Sequence, residues 1–362
     1  MTIRYGLIGS GMMGQEHIRN LNLLEGAAVS AVADPDDAMR AQSAQTADGD
    51  ITTFDTYQEM LSANICDAYV VVSPNDTHHD ILLDLAAANK PVLCEKPLCT
   101  SVADCREVIS RFENVAAPVW VAMEYRYMPP VQRLLEEVKK GTAGRARMMS
   151  IREHRFPFLP KVGDWNRFNS RTGGTLVEKC CHFWDLMRVA MDSDPIRVFA
   201  SAAADVNHQD ETYDGKTPDI IDNAFVTIDF ENGTRGMLDL CMFAEGSKWQ
   251  EVVSITGSKA RIDACVPGPA RFSKDGLEQT SQLVYSDRTE KQERIEPIEV
   301  DETILQAGDH HGSSFFQHER FLKLVKGEID SPEVSLEDGL WSVRIGEAAE
   351  ASAVTGTAID LR

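Results

Sequence analysis

The chain has 362 residues, of which 43% are hydrophobic and 26% charged, and its formal net charge at pH 7 is −21. This length suffices for two domains, and the negative charge argues against nucleic acids and anionic membranes as partners, because binding to either needs a basic surface. The sequence has no run of about 18 apolar residues and does not begin with a secretory signal, so we expect a cytoplasmic protein that does not span a membrane.

The cysteines and histidines do not have the spacing of a metal site. None of the eight cysteines forms a C-x-x-C pair, and a cytoplasmic chain keeps them reduced. The histidine pairs His78-His79 and His310-His311 are adjacent, so their side chains diverge. We therefore expect no metal, and a zinc alcohol dehydrogenase is disfavoured.

The first fourteen residues predict a nucleotide-binding turn. Apolar residues within positions 3–8 favour a buried strand, and a helix is expected over 15–24. A G-x-G-x-x-G motif stands between them, formed by Gly9, Ser10, Gly11, Met12, Met13 and Gly14. Its glycines allow a tight turn, a close approach of pyrophosphate to the backbone and close packing of the helix. The strand and helix on either side favour a dinucleotide site over a plain glycine-rich turn.

The second predicted strand, Ala27 to Ala33, ends in an acidic residue, Asp34. A carboxylate here accepts hydrogen bonds from the ribose hydroxyls of the adenosine. A 2′-phosphate beside it would cost about 4 kcal/mol at 4 Å and an effective dielectric near 20, so NAD is favoured over NADP. Arg40 leaves NADP as an alternative cofactor, because a guanidinium could bind that phosphate. A helix N-cap is a compatible second role for Asp34.

Strands and helices alternate through the rest of the first third, which predicts a doubly wound parallel sheet. The strands are expected over 67–72, 91–94 and 118–123, and the helices over 57–61, 80–89 and 102–112. Ligands bind at the carboxyl ends of such strands. Lys96 stands at one such end before Pro97, which disfavours helical backbone and allows a cis bond. This position favours a role beside the nicotinamide over an ordinary surface lysine.

With these motifs in place, the sequence resembles the Gfo/Idh/MocA family, the group of glucose–fructose oxidoreductase and inositol dehydrogenase. The resemblance is carried by the glycine motif, Ser73-Pro74-Asn75 with His78, Glu95-Lys96-Pro97, and Gly173-Gly174 followed by Glu178 and His182. The family usually has aspartate where this chain has Glu178. The resemblance implies an α/β fold: a Rossmann domain, placed at 1–124, and an α/β domain on a large, mainly antiparallel sheet, placed at 125–362.

The resemblance also implies a function, namely pyridine-nucleotide chemistry on sugars, cyclitols or related alcohols. It implies that Lys96 is catalytic and that the cofactor lies against the glycine motif and Asp34. The nicotinamide half is then expected near Ser73, Pro74, Asn75, His78 and Glu95, with Arg126 and Trp165 lining the site.

The loop that follows a strand predicted over 145–156 is a candidate for substrate binding. It carries Trp165 and Arg167, and an aromatic face with polar side chains suits a sugar or cyclitol ring. A packed surface loop is an equally good interpretation. The same balance holds for His310 and His311, which precede a helix predicted over 314–326 and could contact substrate hydroxyls.

A helix is predicted from Thr175 to Met191, because its apolar residues follow helical spacing. Glu178, His182 and Asp185 stand at i, i+4 and i+7 and would form one polar stripe. The stripe is interpreted as facing a cleft, with Glu178 and His182 in contact with substrate.

The remaining predicted elements build the second sheet. Strands are expected over 195–204, 220–230, 234–243, 249–256 and 260–264, with a type I′ turn at Asn232-Gly233. Residues 274–301 are expected to be poor in strands, and a last helix to span 336–355 and end at Gly356. A sheet with helices on one face needs a cover on the other, so we expect a homo-oligomer, a dimer or a tetramer.

The hypothesis is oxidation of a secondary alcohol, with His182 as base and Lys96 bound to the same oxygen. Glu178 would position Lys96 or a substrate hydroxyl. Burial beside the nicotinamide is expected to lower the pKa of Lys96. Two alternatives stay open: an NAD-dependent glycosidase of the same family, and a non-catalytic sensor that binds the nucleotide as a ligand.

Overall fold

The computed structural model describes residues 1–272, 276 and 279–362. In its first third, strands and helices alternate as predicted, with an additional helix over 37–46 and an additional strand over 52–54 that were not predicted. The elements are β1 (Ile3–Ile8), α1 (Met12–Asn22), β2 (Ala27–Ala33), α2 (Asp37–Thr46), β3 (Thr52–Phe54), α3 (Tyr57–Ala63), β4 (Ala68–Val71), α4 (His78–Ala88), β5 (Val92–Cys94), α5 (Val102–Phe112) and β6 (Val119–Val121).

The six strands form a parallel sheet in the order β3-β2-β1-β4-β5-β6. Five of its strands are short, apolar and mostly buried, as parallel strands covered on both faces must be, whereas the edge strand β3 is largely exposed. The strand order reverses between β1 and β4. Ligands bind beyond the carboxyl ends of the strands at such a reversal, so the topology places the binding crevice beside the glycine motif.

The second part of the chain forms a mixed sheet flanked by helices. Its elements are α6 (Pro129–Lys140), β7 (Ala146–His154), α7 (Asn169–Thr172), α8 (Thr175–Glu178), α9 (Cys181–Met191), β8 (Pro195–Ala203), β9 (Asn223–Phe230), β10 (Arg235–Cys241), β11 (Glu251–Gly257), β12 (Ala260–Val266), β13 (Ser281–Asp287), β14 (Glu293–Ile298), α10 (Glu302–Ala307), α11 (Ser313–Val325), α12 (Leu336–Thr355) and β15 (Ile359–Asp360).

The strand order of this sheet is β14-β13-β12-β11-β7-β10-β9-β8-β15. Only β7 and β10 pair in parallel within the described residues, so the sheet is mainly antiparallel and the predicted fold class is confirmed. Helices α6, α9 and α12 pack on one face of the sheet around a second apolar core. Helix α11 contributes Phe321 and Leu322 to the first core, so the two halves share a packed boundary.

Three predicted elements differ from the structure. The helix expected from Thr175 to Met191 is two helices, α8 and α9. Residues 274–301 carry β13 and β14. The edge strand β14 was missed because charged residues suit an exposed edge, and the interior strand β13 was missed because charged stretches flank it; residues 274, 275, 277 and 278 of that segment lie outside the described residues. The hairpin between β9 and β10 is present, but it is not type I′, since only Gly233 has a positive φ, 80°. The backbone N–H of Phe230 donates to the carbonyl oxygen of Thr234, which leaves a three-residue loop over 231–233 and favours a single left-handed position.

The helix that follows Asp34 is capped differently from the prediction. Asp36 is the N-cap of α2, and its carboxylate accepts hydrogen bonds from the backbone N–H groups of Ala38 and Met39. Asp34 is thereby left to contacts on the cavity side of β2. Within the described residues, none of the helices combines the length and the apolar character needed to cross a bilayer.

Candidate active site

A cavity of about 750 Å³ lies between the two halves of the chain, a volume typical of a cofactor and substrate site. Its lining comes from the carboxyl ends of the parallel strands and from α8, α9 and the loop after β7. Predicted site residues in the lining are Gly9, Ser10, Gly11, Met12, Met13, Asp34, Ser73, Pro74, Asn75, Glu95, Lys96, Trp165, Glu178, His182 and His310. The structure thus brings together most of the residues predicted from sequence.

The glycine motif has the geometry of a phosphate-binding turn. Gly9 has φ +93°, and a Cβ there would lie 2.7 Å from the carbonyl oxygen of Val72, so only glycine fits this turn. A Cβ on Gly11 would meet nothing within 4 Å, because the cavity is open at that point. Helix α1 begins at Met12, and the free N–H groups of its first turn suit a pyrophosphate.

Asp34 lines the cavity at the end of β2 and is held there by the glycine motif. Its Oδ2 accepts hydrogen bonds from the backbone N–H of Ser10 at 2.7 Å and from the Ser10 hydroxyl at 3.1 Å. Arg40, the residue that left NADP open, donates to the Asp34 carbonyl oxygen at 2.5 Å and pairs with Asp37 and with Asp55, the latter at 2.8 Å. These contacts occupy the guanidinium, so the residues present fit NAD.

His78 does not line this cavity, although it was predicted to lie near the cofactor. Its ring is buried, with Nδ1 2.9 Å from the carbonyl oxygen of Pro97 and Nε2 3.1 Å from that of Ser73. Burial lowers the pKa of His78. The ring therefore ties the loop after β4 to the segment that holds Lys96, and its effect on a cofactor is indirect.

Lys96 reaches the centre of the cavity. The bond between Lys96 and Pro97 is cis, and the lysine Nζ donates to the carbonyl oxygen of Glu178 at 3.2 Å and lies 3.8 Å from its Oε1. Burial lowers the pKa of Lys96, but attraction to Glu178, Glu95 and Glu124 outweighs it, so the pKa is raised. The expected lowering of this pKa is wrong for the protein alone, because carboxylates surround the ammonium.

His182 is held neutral beside Lys96. Its ring stacks on Tyr125, with centroids 4.1 Å apart and planes 6° apart. Burial and the nearby Lys96 and Lys179 lower the pKa of His182 well below its ordinary value. Nδ1 is buried without a hydrogen-bond partner, whereas Nε2 lies 3.9 Å from Oε1 of Glu124. A neutral imidazole with Nε2 at the cavity can accept a proton.

The predicted polar stripe is divided. Glu178 and His182 line the cavity, but Asp185 is buried away from it and accepts two hydrogen bonds from Arg126, one of them 2.6 Å from Nε to Oδ2. Arg126 also donates to the carbonyl oxygen of Glu333 at 2.7 Å. Arg126 was predicted to contact cofactor and substrate, and the structure does not bring it into the cavity, because Asp185 binds its guanidinium.

Arg167 and His311 also lie outside the cavity lining. Arg167 is buried, and its Nε donates to Glu211 at 2.7 Å. His311 lies 3.0 Å from the hydroxyl of Ser281 and lines a second cavity of about 350 Å³. Trp165 and His310, their neighbours in sequence, do line the main cavity. Adjacent residues on a bent loop face different ways, which spacing alone cannot indicate.

Several lining residues were missed from the sequence: Glu16, Glu124, Arg155, Lys161, Lys179 and Gln250. Glu124 had a usable signal, because it follows the predicted strand that became β6, as Glu95 follows β5. Lys179 reaches the cavity because the chain bends between α8 and α9. Arg155 and Lys161 come from the loop after β7, where no periodicity marks direction. Among the described residues, no group of three or more His, Cys, Asp or Glu side chains is arranged to hold a metal ion.

Two family models match the chain. The model described as "Oxidoreductase family, NAD-binding Rossmann fold" matches residues 3–123. The model described as "Oxidoreductase family, C-terminal alpha/beta domain" matches residues 136–361. Both are models of the family that the motifs resemble, and together they span nearly the whole chain.

Individual proteins are similar over the same length. Myo-inositol 2-dehydrogenase of Thermotoga maritima is 26% identical over 352 residues, which are 97% of this chain and 96% of that protein. Inositol 2-dehydrogenase 2 of Saccharopolyspora erythraea is 29% identical over 281 residues, 77% of this chain and 78% of that protein. The structure of levoglucosan dehydrogenase with NADH and levoglucosan has a TM-score of 0.82 at 19% identity, covering 100% of both chains; at that identity it supports the fold alone.

Proposed function

The chain belongs to the Gfo/Idh/MocA family of NAD-binding oxidoreductases, and on that basis we propose that it oxidises a secondary hydroxyl of a sugar, anhydrosugar or cyclitol. The observation that carries this proposal is the meeting of Lys96, Glu178 and His182 in one cavity with the glycine motif. The names of the relatives agree with it, since two of them are inositol dehydrogenases.

The charge of each of the three side chains sets its role in the proposed reaction. His182, which is neutral, takes the hydroxyl proton on Nε2. Lys96, which is kept protonated, donates a hydrogen bond to the same oxygen and stabilises its alkoxide character. Glu178, whose Oε2 is buried without a hydrogen-bond partner, binds a neighbouring hydroxyl or orients Lys96. Such a division arises where environments push the pKa values of neighbouring groups apart.

The cofactor would be held by the backbone of the glycine motif, by Asp34 and by the loop from Ser73 to Asn75. When it is bound, NAD supplies the hydride acceptor. On the substrate side the cavity has aromatic and polar side chains, including Phe156, Trp165 and Gln250. Aromatic faces with a few polar groups suit the C–H surface and hydroxyls of a polyol ring.

A substrate screen tests the proposal. Cyclitols, aldoses and anhydrosugars are mixed with the protein and NAD or NADP, and absorbance at 340 nm is followed. We expect reduction of NAD with at least one polyol, and His182→Asn should lower that rate about 100-fold or more. Clear NAD binding with flat absorbance across the panel would contradict the proposal and favour a sensor. Hydrolysis of a chromogenic glycoside without net NADH would favour the glycosidase.

A further inference from the structure

A row of buried oxygen atoms leads away from His182 through the boundary of the two halves. Oε1 of Glu124 is buried without a hydrogen-bond partner and lies 3.9 Å from Nε2 of His182. The other carboxylate oxygen, Oε2, accepts a hydrogen bond from the hydroxyl of Ser314 at 3.2 Å. The same hydroxyl lies 2.8 Å from Oε1 of Glu16. One carboxylate and one hydroxyl thus connect the imidazole to a second carboxylate.

The far end of this row of oxygen atoms reaches the surface. Glu16 lines the main cavity and also the second cavity, whose lining includes Arg271 and Gln306 at the exposed surface. Glu16 is held there by His310, whose Nδ1 donates to Oε1 of Glu16 at 2.9 Å, and by the backbone N–H of Asp309 at 3.3 Å. The chain of contacts therefore runs from the reacting centre to solvent.

The proposed oxidation needs such a path. Each turnover leaves a proton on His182, and this side chain is only 2% exposed. The direct way out is the main cavity, which cofactor and substrate would occupy during turnover. A proton that remained on His182 would prevent the next turnover, since the base has to be neutral again.

We propose that Glu124, Ser314 and Glu16 carry the proton between His182 and solvent; this rests on the function proposed above. Side-chain motion first shortens the 3.9 Å between Nε2 of His182 and Oε1 of Glu124 to hydrogen-bond length. The proton then passes from Nε2 to Oε1, and rotation of the carboxyl group turns it toward Ser314. The acid then donates to the Ser314 oxygen while the Ser314 hydroxyl proton moves to Glu16, which releases a proton to water. Only protons move, so each group ends in its starting state, and reduction uses the path in reverse.

The charges around the path suit this role. Glu124 faces Glu16 on α1, Glu95 and Lys96 after β5, His182 on α9 and His310 before α11. Burial and the neighbouring carboxylates raise the pKa of Glu124, while His310 and Lys96 oppose them; its neutral form is therefore accessible. Burial raises the pKa of Glu16, but His310 and Ser314 bring it to about 2, which favours release of the proton to water.

The chain provides a matched pair of variants for the test. Ser313 and Ser314 are adjacent, both buried at the start of α11, and the hydroxyl of Ser313 has no hydrogen-bond partner. Ser314→Ala removes the bridge between the two carboxylates, whereas Ser313→Ala removes an equal volume and no contact. Both are compared with the parent for kcat on the polyol found in the screen, for the solvent isotope effect, and for rescue by imidazole buffer.

We expect Ser314→Ala to lower kcat at least tenfold, to raise the solvent isotope effect, to leave NAD affinity within twofold, and to recover rate as buffer concentration rises. Ser313→Ala should stay within twofold throughout. A Ser314→Ala enzyme as fast as Ser313→Ala, or slow at every buffer concentration, overturns the relay. A parent enzyme that oxidises no polyol is a failure of the proposed function instead.

A second measurement does not depend on turnover. Infrared titration follows buried carboxylic acids in the resting protein, and Glu124→Gln identifies the band of Glu124. We expect its titration midpoint to shift in Ser314→Ala and to remain in place in Ser313→Ala. An unchanged midpoint in both variants overturns the contact on which the relay depends.

Discussion

At the scale of single residues, the surroundings of two basic side chains in this site give them different charges. Lys96 and His182 face one cavity, yet carboxylates raise the pKa of the lysine and burial lowers that of the histidine. One side chain is thereby a hydrogen-bond donor and the other a proton acceptor at neutral pH. Residue type alone does not give both charge states. A free lysine is protonated at pH 7, but a free histidine, with a pKa of about 6.5, is still partly protonated.

Substitution of Lys96 should separate catalysis from cofactor binding. In the proposed reaction Lys96 donates a hydrogen bond to the oxygen that gains charge. Lys96→Met removes that donor, and such donors are worth about 100- to 1000-fold in kcat. We expect that loss in kcat with NAD affinity changed less than about threefold, measured by steady-state kinetics and by fluorescence titration with NAD. Equal losses in both would show that Lys96 only holds the cofactor.

The pair of Glu16 and His310 should make stability depend on pH. Burial lowers the pKa of His310, but Glu124 and Glu16 raise it to about 9. A folded pKa above the unfolded value of about 6.5 stabilises the fold below pH 6.5, and the contribution is lost as pH rises to 9. We expect His310→Gln to cost about 2 to 3 kcal/mol of unfolding free energy at pH 6 and much less at pH 9.5, measured by urea denaturation.

The neighbouring His311 is a control, because its contribution to stability should change with pH in the opposite direction. Burial lowers its pKa to about 4, so it stays neutral in the fold while the unfolded chain becomes protonated. Its presence therefore costs stability as pH falls from about 6.5 to 4. The cost of His311→Gln should shrink over that range. If both variants had the same pH trend, the contacts assigned to His310 would be wrong.

At the scale of elements, one buried ion pair fixes the helix that carries His182. Arg126 lies after β6 and Asp185 lies on α9, and the carboxylate of Asp185 is fully buried. This pair joins the end of the parallel sheet to the helix behind the cavity. Asp185 lies one turn after His182 on α9, so the contact holds the part of the helix that presents His182.

Breaking that pair should destabilise the protein. Asp185→Asn removes the buried carboxylate that binds Arg126, and loss of one partner of a buried pair costs about 3 to 5 kcal/mol. Because Asp338 lies 3.6 Å from the same guanidinium, we expect the lower end of that range. Asp229→Asn is the control, because Asp229 pairs with Arg197 at the surface of β8 and β9, where 64% of the arginine side chain is exposed, and such pairs contribute about 1 kcal/mol or less. Urea denaturation of the two variants should differ accordingly; equal midpoints would contradict the assignment.

At the scale of the whole molecule, the described residues leave one face of the second sheet without a cover. Met148, Phe199, Phe225 and Met237 lie on β7, β8, β9 and β10 and are 41% to 63% exposed. Helices cover the opposite face. An apolar patch on adjacent strands is typical of an interface, which supports the homo-oligomer predicted from sequence and keeps it a prediction.

Substitution on this face tests the oligomer. Phe225→Ser removes the most exposed aromatic side chain of the patch, and we expect the mass in solution to fall toward that of a monomer, measured by size exclusion with light scattering. Val354→Ser is the control, because Val354 is 85% exposed near the end of α12, away from the sheet. A parent protein that is already monomeric would contradict the prediction.

The sequence by itself determined the features that depend on neighbouring residues. The glycine motif, the alternating strands and helices, the last helix ending at Gly356 and the position of Lys96 before Pro97 are local patterns, and local backbone preferences decide them. Contacts across the chain were decided only by the tertiary structure. Arg126 binds Asp185 outside the cavity, and Ser314 joins Glu16 to Glu124, because packing brings residues 59 to 298 positions apart within hydrogen-bond distance. Periodicity predicts which residues of a strand or helix share a face, but the charges that surround a side chain depend on the positions of the other elements.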